Sequence, residues 1–164
     1  MDKADFIQAK KFIFSDIDRE MQVAGTDPDQ LQRTGITPGG GNFLAALGLL
    51  CYTEFGGKLR FGRKRPDGSD FASENFNLFF DELGSPYRSF RQQHNVYDIL
   101  RCGLAHEYYV KKSCTIYMFG DRDLPGIGID QSGKYWFVVK NYCRDLKHAF
   151  DRLEEYLFGR ESSA

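Results

Sequence analysis

Apolar residues recur at helical spacing through most of this chain, then switch late on to short, dense runs of aromatic and β-branched residues. From Lys3 to Val23 the apolar positions are Phe6, Ile7, Ile13, Phe14, Ile17 and Met21, which predicts one amphipathic helix. Gly25 to Gly41 reads as a turn-rich connection with Pro28, Pro38 and three successive glycines. Asn42 is placed to cap a second helix carrying Phe43, Leu44, Leu47, Leu50 and Cys51 and ending near Phe55. That helix is apolar nearly all round, so it is expected at the centre of the protein. Gly56 to Asp70 reads as a basic, glycine-broken loop.

A third helix is predicted from about Ala72 to Leu83, with Ser73 as its cap and Phe76, Phe79, Phe80 and Leu83 inward. Gly84-Ser85-Pro86 stops it and starts a fourth, since proline is tolerated in a first turn. The fourth carries Tyr87, Phe90, His94, Tyr97, Leu100 and Leu104. The period then changes. Thr115 to Phe119 and Tyr135 to Val139 read as strands, and a Gln-Ser-Gly turn precedes the second. A last helix, about Asn141 to Phe158, places Leu146, Phe150, Leu153 and Leu157 at helical spacing. The expected fold is therefore mainly α: an up-and-down bundle of about five helices in one domain over 1–164. A small β-hairpin or meander, about 114–139, is inserted before the last helix.

Composition adds two points. The chain has 15 Phe and 9 Tyr in 164 residues, enough for a core of large rings or an aromatic interface between subunits. A net charge of -1 excludes a globally basic nucleic-acid binder, so any such partner must meet a local patch. Cys51, Cys102, Cys114 and Cys143 are dispersed, without the close spacing of a metal site, and read as reduced thiols. No metal or other cofactor is expected. Asp2, Lys3 and Asp5 interrupt any signal-peptide pattern, and no apolar run reaches the ~20 residues of a membrane span. The expectation is a cytoplasmic protein without a membrane partner.

The chemistry concentrates in Arg101-Cys102-Gly103-Leu104-Ala105-His106-Glu107-Tyr108. Arginine supplies a permanent cation with a planar fork of donors that suits phosphate. Histidine exchanges a proton near neutral pH. Together they suffice for phosphodiester chemistry without a metal. In an unbroken α-helix Arg101 and His106 would sit about 140° apart, at about 100° per residue, so Gly103 is the expected point of distortion or termination. The plain reading has Arg101 at a helix C-terminus, where cations are favoured, and His106 packing on the next turn.

The octet resembles the Arg-x4-6-His motif of the HEPN superfamily (higher eukaryotes and prokaryotes nucleotide-binding). More narrowly it resembles the Arg-x4-His-x-Tyr form of many prokaryotic members. The resemblance extends over the helical scaffold, roughly residues 2–109 plus the last helix, and only the octet is specific. It implies a metal-independent endoribonuclease with Arg101 and His106 as catalytic residues, working as a homodimer whose cleft holds both motifs. Arg101 would neutralise the scissile phosphate. His106 would act as base on the 2′-hydroxyl or acid on the 5′-oxygen, giving 2′,3′-cyclic phosphate and 5′-hydroxyl ends. In some HEPN toxins the tyrosine at the position of Tyr108 receives AMP from a nucleotidyltransferase antitoxin, which adds such an antitoxin, and a role in defence, to the implied partners. Its plain alternative is an aromatic packing residue. Active members usually carry Asn, Asp or His after the arginine, where this chain has Cys102. Cys102 points instead to a non-catalytic HEPN-like module that binds RNA, a nucleotide or a partner protein.

Three further features bear on function. Lys58, Arg60, Arg63, Lys64 and Arg65, with Phe61 among them, form a candidate RNA-tracking patch. Its plain reading is a solvated loop closed by a Pro66-Asp67-Gly68 turn. Gly39-Gly40-Gly41-Asn42 lacks the Lys-Ser/Thr of a P-loop and reads as a flexible connection. His94 has Asp98 one turn on, and His148 lies between Asp145 and Asp151, where it is expected to be exposed.

Overall fold

A computed structural model of the chain describes residues 1–107 and 114–159. It is mainly helical, with a small three-stranded sheet before the last helix. Helix α1 (Lys3–Gly25) starts where the Asp2 carboxylate accepts the Asp5 N–H at 2.9 Å, and it buries Phe6, Ile13, Phe14 and Ile17. A short α2 (Pro28–Arg33) lies in what the sequence reads as a connection. Asp27 caps it, accepting the N–H groups of Asp29 and Gln30, and Pro28 fills its first turn.

Helix α3 (Asn42–Phe61) is the central element, packing against α1, the sheet and most of the later helices. It corrects the sequence reading twice. Asn42 does not cap: Gly41 holds that position at φ +78, and the Asn42 amide donates to the Ile116 carbonyl at 3.0 Å. The helix also runs through Gly56 and Gly57 to Phe61, where a loop is expected from position 56. The reason is helix α4 (Ala72–Asp81), which packs directly on these glycines. A Cβ on Gly56 would lie 2.4 Å from Phe79 Cε1, and one on Gly57 would lie 2.0 Å from the Asn75 carbonyl oxygen. The pair serves close approach rather than a break.

The predicted fourth helix is two elements, α5 (Ser85–Gln93) and a π-helix (Tyr97–Glu107). At the break His94 is extended, at φ -137 and ψ 136, and its ring lies between Phe90 and Tyr135. Its Nδ1 is 3.0 Å from the Tyr135 hydroxyl, a partner forty-one residues further along the chain. Asn95 opens the π-helix by accepting the Asp98 N–H at 3.2 Å. The sheet comprises β1 (Cys114–Tyr117), β2 (Ile127–Ile129) and β3 (Tyr135–Val138) in the order β1-β3-β2. β2 and β3 form the expected hairpin around an Asp130–Gly133 turn, while β1 joins β3 in parallel, so the sheet is not a meander.

Helix α6 (Val139–Phe158) closes the core. Its Phe150 is a hub, with ring centroids 5.6 Å from both Phe14 and Phe79 and 6.2 Å from Phe6. The heavy aromatic content is thus spent largely in the interior, where such rings contribute beyond the area they bury. Buried Tyr142 meets the Thr53 hydroxyl at 2.8 Å. Tyr87 accepts the Gly126 N–H and donates to Asp145, tying the sheet to α6. No helix is long and apolar enough to cross a membrane among the described residues.

Candidate functional site

The π-helix changes the geometry of the octet. Its hydrogen bonds join residues five apart, a rare arrangement that concentrates at functional positions. Positions 101 and 106 have that spacing, so the backbone stacks them on one side of the helix. The expected distortion at Gly103 is instead spread over the whole of Tyr97–Glu107. The side chain of His106 lies outside the described residues, as does Tyr108 altogether. Cys102 is half-buried next to Arg101.

Arg101 lines a pocket of about 320 Å³ between the π-helix, α3 and the start of α4, together with Cys51, Glu54, Lys58, Asp70 and Asn75. Cys51, Glu54 and Lys58 are spaced three and four apart, one face of α3. The Arg101 side chain is 19% exposed, and its Nε–H donates to Glu54 Oε2 at 2.8 Å, with the Tyr97 ring centroid 6.0 Å from the guanidinium. The Nη groups have no hydrogen-bond partner among the described residues. Only one of the five guanidinium N–H donors is therefore fixed, and the four on Nη face the pocket without a partner among the described residues. Burial pushes the Cys51 thiol up despite the opposing pull of Arg101, so Cys51 is a protonated neighbour rather than a thiolate nucleophile.

The basic cluster divides. Lys58 and Lys64 both bind the Asp70 carboxylate, Lys58 at 2.6 Å. Lys58 first and Lys64 second hold that carboxyl down at about 2. Arg60 lies 3.4 Å from Glu82, and its guanidinium stacks 3.5 Å from the Tyr156 ring centroid. Arg63 approaches Glu74 at 4.0 Å. Arg65 packs over Phe71 and meets no carboxylate within ion-pair distance among the described residues. Beneath the loop, buried Asn75 accepts the Arg63 N–H at 2.8 Å and donates back to the Arg63 carbonyl at 3.1 Å. The Pro66-Asp67-Gly68 turn forms as read, with Asp67 accepting from Ser69.

The structure thus brings Arg101 and Lys58 into one pocket and leaves Arg60 on another side of α3. Glu54 is the site residue the sequence reading missed. Its signal was the Glu54–Lys58 spacing of four, hidden because the helix was ended at Phe55. Among the described residues no three His, Cys, Asp or Glu side chains converge as metal ligands would. Compared with known proteins, the chain matches no family model, no curated protein and no solved structure.

Proposed function

We propose that the chain is a HEPN-like protein that binds RNA phosphate at the Arg101 pocket and, as a homodimer, cleaves RNA without a metal. The observation that carries this reading is the π-helix, in which positions 101 and 106 share a side next to a pocket holding Lys58 and an arginine fork engaged through Nε alone among the described residues. In the reaction the 2′-oxygen attacks phosphorus and its proton passes to His106. The bond from phosphorus to the 5′-oxygen breaks, and the second copy's His106 protonates the leaving oxygen. Arg101 neutralises charge on the non-bridging oxygens, while Lys58 stays paired with Asp70 at the rim of the pocket. Within this reading Tyr108 is the side chain an AMP-transferring partner would modify, closing the cleft by charge and bulk.

Cleavage of mixed RNA in EDTA tests it. Wild-type protein should leave cyclic phosphate and 5′-hydroxyl ends. Arg101→Ala should lose about 10²–10³ in rate, as for removal of an oxyanion-stabilising donor. His106→Ala should lose about 10²–10⁴, as for removal of a proton-transfer group. Folded, dimeric wild-type protein that does not cut would sink the nuclease reading. A binding module at the same pocket is the second reading, favoured by the Glu54–Arg101 ion pair, which already offsets the arginine's charge. Cys102 at the usually polar position favours it too.

A further inference from the structure

Lys58 and Arg60 are two residues apart on α3, about 200° around it, so they border different sides of the helix. On the Arg60 side lies a larger pocket, about 510 Å³, where α3, α4, α5 and α6 meet. Arg60, Arg88 and Arg152 line it from three different helices, with Glu82, Gly84 and Tyr156. The nearby carboxylates are already committed. Asp81 is held through both oxygens by Arg91, at 2.6 Å each, and Glu82 is engaged by Arg60. Arg152 donates to the Glu82 backbone carbonyl. Arg88 is exposed and makes no ion pair and no side-chain hydrogen bond among the described residues. Three guanidiniums therefore line the pocket with two carboxylates, and one of those two, Asp81, is already neutralised by Arg91 from outside it, in a chain whose net charge is -1.

The backbone adds to this. Gly84, whose φ of +140 favours glycine, immediately precedes helix α5, and no side chain caps the helix's first turn. Gly84 lines the pocket, so the positive pole of α5 opens onto the same space as the three arginines. Guanidiniums arriving from separate helices suit a tetrahedral group with several terminal oxygens and more than one negative charge. A phosphate monoester is such a group, with about -1.5 to -2 charges near neutral pH. A phosphodiester offers one charge and fewer free oxygens.

We propose that this pocket binds the terminal phosphoryl group of a nucleotide or of an RNA strand end. Arg88 and Arg152 are its direct ligands, and Arg60, stacked on Tyr156, forms one wall. The site is separate from the Arg101 pocket and does not rest on the cleavage reading. The test uses the full chain and a 3′-fluorescein hexauridylate with 2′-O-methyl sugars, which cannot be cut by 2′-hydroxyl attack. Anisotropy compares the 5′-phosphorylated strand with its 5′-hydroxyl twin.

The phosphorylated strand should bind at least about tenfold more tightly, the scale of one charge-assisted hydrogen bond. Arg88→Ala should abolish that ratio, Arg88→Lys should keep part of it, and Arg101→Ala should leave it intact. Competition by AMP would identify a mononucleotide ligand, and competition only by unlabelled phosphorylated strand would identify an RNA end. Equal affinity for the two strands with no competition by AMP or inorganic phosphate would overturn the proposal. So would an undiminished ratio in Arg88→Ala. Arg88 is exposed and makes no ion pair among the described residues, so its replacement should leave the thermal melt unchanged and the binding result readable.

Discussion

On the α3–α4 side of the Arg101 pocket, two successive glycines let one helix lie directly on another. On the opposite side the backbone has widened into a π-helix. The first wall has no slack: Gly57 faces the Asn75 carbonyl oxygen, and Asn75 in turn holds Arg63 by two hydrogen bonds. The second wall carries Arg101, whose guanidinium is fixed along one edge only. The cations of the pocket are thus presented from one close-packed frame and one unusual helix. The difference predicts that stability is concentrated on the α3–α4 wall and, under the proposed function, chemistry on the π-helix.

The sharpest way to break this comparison is to refill the glycine contact. Alanine is normally the better helix former, by about 1 kcal/mol over glycine. Gly57→Ala should instead destabilise, by about 3 kcal/mol, or about 10 °C in Tm for a chain of this size, because the new Cβ meets backbone that cannot swing aside. Gly48→Ala, on the same helix, is the control. There a Cβ would find Ile17 and Tyr52 at ordinary distances of 3.5 and 3.7 Å, and a gain of about 0.5–1 kcal/mol is expected. Thermal melts that move both variants in the same direction would refute the close-contact account of Gly57.

The π-helical wall is probed by Glu54→Gln. The carboxylate is 24% exposed and pairs with a largely buried Arg101, so losing its charge should cost about 1–2 kcal/mol of stability. The same change frees Arg101, and affinity for an RNA oligonucleotide should rise. If stability falls while RNA affinity also falls, Glu54 serves the ligand rather than restraining the arginine, and the account of the pocket above fails.

These contrasts also mark what the sequence could reveal. Helical period alone located α1, α3, α4 and α6, because each buries a continuous apolar stripe. The hairpin followed from the change to short aromatic runs and the turn between them. The misreadings share a cause. Glycine carries no label for its purpose, and Gly56 and Gly57 are explained only by Phe79 and Asn75, about twenty residues further on. Asp27-Pro28 was a legible helix start inside an apparent loop, and Asn95 with Asp98 was a legible break inside an apparent helix. The π-helix left no such mark. Its buried apolar positions Ile99, Leu100 and Leu104 fit an α-helix equally well, so the relation between positions 101 and 106 was open until the backbone was known.

The finest difference between the two walls is electrostatic. Asp70 gathers Lys58, from the end of α3, and Lys64, from the loop that follows. Together they hold its carboxyl at about 2, below its ordinary value of 3.8. A carboxyl whose pKa is lowered by folding contributes stability that is complete above the ordinary value and is lost as pH falls through about 2. Asp70 is at the surface, so the effect on global stability is small and salt-sensitive, and the titration itself is the better readout. Carboxyl-carbon NMR should find the Asp70 midpoint near 2 in wild-type protein and nearer 3.8 in Lys58→Ala and in Lys64→Ala. A wild-type midpoint already at 3.8 would mean that Lys58 is not held by Asp70. It would then be free to act in the Arg101 pocket, and the contrast there between a committed lysine and an arginine fixed only through Nε would disappear.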